Sequence, residues 1–134
     1  MIQAIYEETP SNAIEGENQA LRTDIVKNLK VVSAGHQSIG DGRKIVTTAG
    51  TAVKLSATSV PCKQLTITAL ESNTDAIVVG GSTVVAGSTG DGGGTRQGTP
   101  LFATQSLVIA IADLEDIYID SVVNGEGVSY SYLN

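Results

Sequence analysis

With 134 residues, the chain has room for one domain with one modest hydrophobic core and no space for a second. Hydrophobic residues make up 41% and charged residues 16%, a balance that excludes intrinsic disorder and leaves an uncharged surface suited to protein contacts. The formal net charge is −6, and beyond residue 44 eight acids face three bases, Lys54, Lys63 and Arg96, so a nucleic-acid backbone is repelled.

The apolar residues are mainly Val, Ile, Leu and Ala; Trp is absent and Phe102 is the one phenylalanine. β-branched residues of this kind fit a pleated surface. The lone Cys62 and lone His36 exclude an intrachain disulfide and a Cys/His zinc cluster, so no metal or other cofactor is expected. The opening MIQAIYEETP carries acids where a secretory signal needs a basic start, and no later run has the apolar length of a membrane helix. The expectation is a chain made and kept in the cytoplasm, with no membrane partner.

In chain order, residues 1–43 come first. They mix both charge signs with scattered apolar residues and are punctuated by Pro10, Gly16, Gly35, Gly40 and Gly42. This pattern predicts an extended N-terminal arm without a helix or hairpin, with a short strand-like stretch at 29–33. Its candidate partner-binding residues are Ile2, Ile5, Tyr6, Ile14, Leu21, Arg22 and Ile25.

Residues 44–134 form the predicted domain. Short β-type runs at 44–48, 52–56, 65–70, 76–79, 83–86, 106–111, 117–123 and 128–133 are separated by turn residues. Leu65-Thr66-Ile67-Thr68-Ala69 and Ile117-Tyr118-Ile119-Asp120 alternate apolar with polar, as half-buried strands do. Ala49-Gly50, Ser72-Asn73-Thr74-Asp75, Gly80-Gly81 and Asn124-Gly125 supply the turns, the last with a hairpin signature. Without a helix of crossover length, the connectivity must be antiparallel. The expected fold is all-β: an antiparallel β-sandwich, jelly-roll or Ig-like, behind an extended arm. Residues 87–98, GSTGDGGGTRQG, should project as a flexible loop containing Gly90, Asp91, Gly92, Gly93, Gly94 and Arg96.

Catalytic groupings are missing. The Gly-rich stretch lacks the Gly-Lys-Ser/Thr ending of a phosphate loop, and Arg96 is its only base. Asp113, Glu115, Asp116 and Asp120 lack the ligand spacing and central Gly of a calcium loop, and read as a solvated turn entering a strand. Nucleophilic catalysis needs a base beside Ser, Thr or Cys62, and His36 lies in the Gly-rich end of the arm. Cys62, following Pro61 at a strand entry, reads as a small buried filler. Tyr130 and Tyr132 share a face of the last strand and suit either a subunit interface or the core. The chain is therefore expected not to be an enzyme.

Two segments resemble tailed-bacteriophage virion proteins. One is EGENQALRTD at 15–24 followed by NLKV at 28–31; the other is the order VTTAGTAVKLSATSVPCKQLTITAL, AIVVGG and IYIDSVVNGEGVSYSYL within 46–133. The chain departs from that pattern at an expanded 87–98 and at Val26-Lys27-Asn28. The resemblance implies a capsid decoration, or cement, protein on the head exterior of the virion, whose arm clamps neighbouring subunits. Its implied partners are the major capsid protein and copies of itself, as a homotrimer. A tail, collar or baseplate component, or a host-surface or glycan-binding module, are the alternatives.

Overall fold

The structure is a computed structural model that describes residues 22–23, 29–30, 38–88 and 94–134. It divides into two compact units, Met1–Gly35 and His36–Asn134. In the first unit, β1 (Arg22–Thr23) pairs antiparallel with β2 (Leu29–Lys30), Arg22 opposite Lys30 and Thr23 opposite Leu29. A two-residue ladder thus stands where the composition predicts no hairpin; β2 falls at the start of the predicted 29–33 stretch, of which 31–33 lie outside the described residues.

The second unit contains β3 (Ile39–Ile45), β4 (Val53–Lys54), β5 (Gln64–Ala69), β6 (Ile77–Gly80), β7 (Thr99–Leu101), β8 (Ser106–Ile109), β9 (Tyr118–Ser121) and β10 (Gly127–Leu133). They form two four-stranded antiparallel sheets, in the orders β3-β10-β5-β8 and β4-β9-β6-β7. Nearly every connection crosses between sheets, and only β6 and β7 are consecutive neighbours in one sheet. An Ig-like sandwich starts with two strands in the same sheet, whereas here β3 and β4 lie in different ones. Counted from β3, the orders are first-eighth-third-sixth and second-seventh-fourth-fifth, which is the eight-stranded double-sheet jelly roll.

Side-chain alternation builds the core. On β5, Leu65, Ile67 and Ala69 are buried while Thr66 and Thr68 face out. They meet Val128 of β10 and, from the opposing sheet, Ile77, Val79, Leu101 and Ile119. Leu65 and Ile67 have no exposed surface, so truncating either to Ala costs about 2–5 kcal/mol. A smaller cluster of Val78, Val84 and Ala86, flanked by Ala52, Tyr118 and Val122, covers the other face of β6. This is why β6 is a continuous apolar run without alternation.

Several elements differ from the periodicity. The first sandwich strand covers 39–45 rather than 44–48, and the compact unit begins at His36, so 39–43 belong to the sandwich and not to the arm. Its Gly40 and Gly42 look like loop residues in isolation. In the sheet, Gly42 stands opposite Tyr130 and Gly40 opposite Tyr132, and a Cβ at Gly42 would lie 2.5 Å from the Tyr130 hydroxyl. The tyrosine rings occupy the space that side chains on β3 would fill, an arrangement known to rescue glycines on edge strands.

Residues 83–86 make an isolated bridge, Val85 to Gln97, instead of a strand. β7 contains Pro100, which is acceptable because β7 lies at a sheet edge where no ladder hydrogen bond is lost. Asn124-Gly125, with Gly125 at φ 87°, turns the chain from one sheet to the other and is not a hairpin, since β9 and β10 do not pair.

Candidate functional site

The outer face of the first sheet carries a field of small hydroxyls. Ladder register aligns Ser129 with Thr68 and Ser106, and Ser131 with Thr66 and Val108. The Thr68 and Ser106 hydroxyls share a 2.7 Å hydrogen bond. Beyond β10, Arg43 stands opposite Ser129 and Asp41 opposite Ser131, both exposed. At one end of this face lies an open depression of about 590 Å3, lined among others by Arg43, Thr68, Glu71, Ser72, Thr104 and Ser129. Its lining can donate and accept hydrogen bonds through hydroxyl, carboxylate and guanidinium groups. Thr104 on its rim has φ 69°, a left-handed conformation that a β-branched residue adopts only under strain.

A buried polar clamp closes the sandwich where the β5–β6 turn meets the β9–β10 turn. The Glu126 carboxylate is 4% exposed. One oxygen accepts from the Thr74 amide at 2.6 Å, the Thr74 hydroxyl at 2.9 Å and the Asp75 amide at 2.8 Å; the other accepts from the Ser121 hydroxyl at 2.6 Å. Asn73 adds a reciprocal pair with the backbone of Gly127, donating at 2.9 Å and accepting at 3.0 Å. With both oxygens engaged by four donors from three residues, this acid acts as a fastener between turns. Neither Asn73 nor Glu126 carries a local signal for this role; Glu126 follows Asn124-Gly125 like any polar turn residue.

The acids considered for calcium are dispersed among separate structural tasks. Asp113 caps the short 3-10 turn Leu114–Asp116, accepting from the Glu115 amide at 2.9 Å, the Val60 amide at 2.8 Å and the Ser59 hydroxyl. The Ser59 hydrogen bond, followed by those two amides, holds its carboxyl below the usual aspartate range. Glu115 pairs with Lys54 at 2.6 Å, and that ammonium lies 6.0 Å from the Tyr118 ring centroid. The pairing with Glu115 raises the lysine above its ordinary value. Asp120 is buried and accepts from the Ala86 amide at 2.8 Å and its neighbour Ser121 at 2.9 Å. Asp116 is exposed. Among the described residues no three His, Cys, Asp or Glu side chains are placed to hold a metal ion.

Cys62 is buried, with its thiol 3.4 Å from the Ile111 carbonyl; desolvation, and secondarily the charge of Asp113, push it above the ordinary thiol value. That is an unreactive thiol. Tyr130 and Tyr132, with centroids 6.5 Å apart, pack against the main core while staying partly exposed. Burial, then the neighbouring Tyr132 and Asp41, raise the Tyr130 phenol.

The two ends of the Gly-rich connection are described. Before it, Ala86 is tied to Asp120; after it, Arg96 donates to the Ala86 carbonyl at 3.3 Å, Gln97 bonds both ways with Val85, and the Gln97 amide reaches Thr83 at 2.9 Å. Its two ends are thus fastened over the outer face of the second sheet. Gly94 is exposed, and Gly90, Asp91, Gly92 and Gly93 lie outside the described residues. The same holds for His36 and for the arm residues Ile2, Ile5, Tyr6, Ile14, Leu21 and Ile25, whereas the Arg22 backbone is part of β1.

No family model, no curated protein and no solved structure matches this chain. Among the described residues, no helix is long and apolar enough to cross a membrane.

Proposed function

We propose that this protein is a structural component of a tailed-phage virion, a decoration or cement protein on the head exterior that contacts the major capsid protein, and that it is not an enzyme. The strand order carries this reading: the eight-stranded double-sheet jelly roll is an architecture of viral capsid and lectin domains. The occupied acids lend support, because Asp113, Glu115, Asp120 and Glu126 all fasten the scaffold. The resemblance of residues 15–24, 28–31 and most of 45–133 to virion proteins points the same way.

Immunogold labelling of purified virions tests the assignment. Label over the head is expected; label confined to the tail replaces the cement reading with a tail component, and its absence from particles overturns both. The arm is tested by deleting residues 1–35, a cut that spares β3. The shortened chain should fold and lose head binding, and undiminished decoration would refute the clamp.

The depression beside Arg43 and Glu71 favours glycan recognition as a second reading, since hydroxyl and charged groups on one open face match the donors and acceptors of a sugar. A glycan-array signal that disappears in Glu71→Ala would support it, and a blank array would remove it.

A further inference from the structure

Sandwich edges expose unpaired backbone groups, and folded proteins normally blunt them with short strands, proline or a covering segment. Three of the four edges here follow that rule: β4 has two residues, β7 contains Pro100, and β8 has four residues. The fourth, β3, has seven residues, no proline and an uninterrupted register with β10.

The polarity of that edge follows from the ladder. The Asn134 amide donates to the Ser38 carbonyl and the Val46 amide to the Glu126 carbonyl, so the even-numbered residues of β3 direct their backbone groups at β10. Ile39, Asp41, Arg43 and Ile45 therefore point theirs away from β10, at the edge that no other described strand covers. Their side chains also share the outer face of the sheet, with Ile39 70% exposed and Asp41 and Arg43 exposed. Neither Asp41 nor Arg43 forms an ion pair among the described residues.

We propose that β3 is the pairing edge of a two-fold symmetric dimer, its occupant being β3 of a second copy of this chain. The segment Ile39-Gly40-Asp41-Gly42-Arg43-Lys44-Ile45 is self-complementary when run antiparallel about Gly42. Asp41 of each copy then faces Arg43 of the other, Ile39 faces Ile45, and the axis passes between the two Gly42 residues. All the hydrogen-bonded pairs join odd-numbered residues, which are those with free backbone groups, and Gly42 meets its mate as a non-hydrogen-bonded pair. Sliding the register by one residue in each chain's centre puts Asp41 against Asp41 or Arg43 against Arg43, where like charges oppose pairing. The charge pattern thus selects one register as well as permitting it. The dimer joins two first sheets into one continuous sheet, the β-augmentation mode of association.

An edge ladder of this length lies at the small end of specific interfaces, so dissociation at about micromolar concentration is expected. The test is sedimentation equilibrium on the full chain and on charge variants. Wild type should be a dimer, while Asp41→Arg and Arg43→Asp should each dissociate about ten- to hundred-fold more readily, because two attractive cross-strand pairs become repulsive. An equimolar mixture of the two single variants should regain a dimer, since an all-cationic pair of positions then faces an all-anionic one. The double exchange Asp41→Arg with Arg43→Asp should also dimerise like wild type. A wild-type chain that stays monomeric at about 100 μM, an oligomer indifferent to either single reversal, or a mixture and double exchange that both fail to restore pairing would each overturn the proposal. The inference stands independently of the virion assignment, because its readout is self-association in the absence of any shell.

Discussion

Replacing Glu126 by alanine should damage this fold more than its position in a short turn suggests. The substitution leaves the Thr74 amide, the Thr74 hydroxyl, the Asp75 amide and the Ser121 hydroxyl without their acceptor in a site that is 4% exposed. Hydrogen bonds to a charged group each contribute about 1.5–3 kcal/mol, but they share one carboxylate and water will reach some of the freed donors, so the summed loss is about 3–5 kcal/mol. For a unit of this size that lowers Tm by about 15 °C or more. Urea unfolding followed by tyrosine fluorescence, convenient in a chain without tryptophan, gives the loss as a shift in midpoint at constant slope. Glu126→Gln keeps an oxygen for the Thr74 and Asp75 donors and should cost less than half as much. A Glu126→Ala variant within about 0.5 kcal/mol of wild type would refute the clamp, showing that the two turns hold together by apolar packing alone.

Gly42→Val should cost about 1–3 kcal/mol by displacing the Tyr130 ring; in a Tyr130→Ala background the penalty should shrink, and additive costs in the double-mutant cycle would count against the ring-over-glycine packing. Thr104→Gly should stabilise the fold by about 1 kcal/mol through release of the φ 69° strain, measured as a rise in the urea midpoint. Asp113, held below its ordinary range, contributes stability that is present above the unfolded aspartate value near pH ~4 and is lost as pH falls through its lowered value. Asp113→Asn should therefore flatten the acid limb of the stability profile below that pH, and an unchanged limb would assign acid unfolding to other carboxylates.

How much was legible in the chain divides along physical lines. Strands with one buried face, such as β5 and β10, announce themselves because Leu65-Thr66-Ile67-Thr68 alternates in isolation as it does in the sheet. β3 does not, because two of its inward positions are glycines whose surface is supplied by Tyr130 and Tyr132 from a strand more than eighty residues away. The sheet-crossing use of Asn124-Gly125 was hidden for a related reason: a left-handed glycine reverses the chain equally well within one sheet or between two. The polar groups were harder still. Asp113, Asp120 and Glu126 look like solvent-facing acids until the backbone amides they serve are brought to them by distant turns. Cys62 was legible, since a lone thiol at the start of an apolar strand tends to be filler, and the structure buries it.

The central place of β10 between β3 and β5 has a consequence during synthesis. A nascent chain that has emerged as far as β9 already holds the strands of the second sheet, but the first sheet still has a gap in its middle, with β3 and the inner edge of β5 unpaired. Only when Gly127–Leu133 leaves the ribosome can that gap close. Folding of this unit is thus delayed until its last strand has emerged, when the long-range pairing of β3 is made in a single late step. Until then the chain exposes two strand edges at once, and codon-level pausing or a chaperone acting between the emergence of β9 and that of β10 would have most effect on its yield.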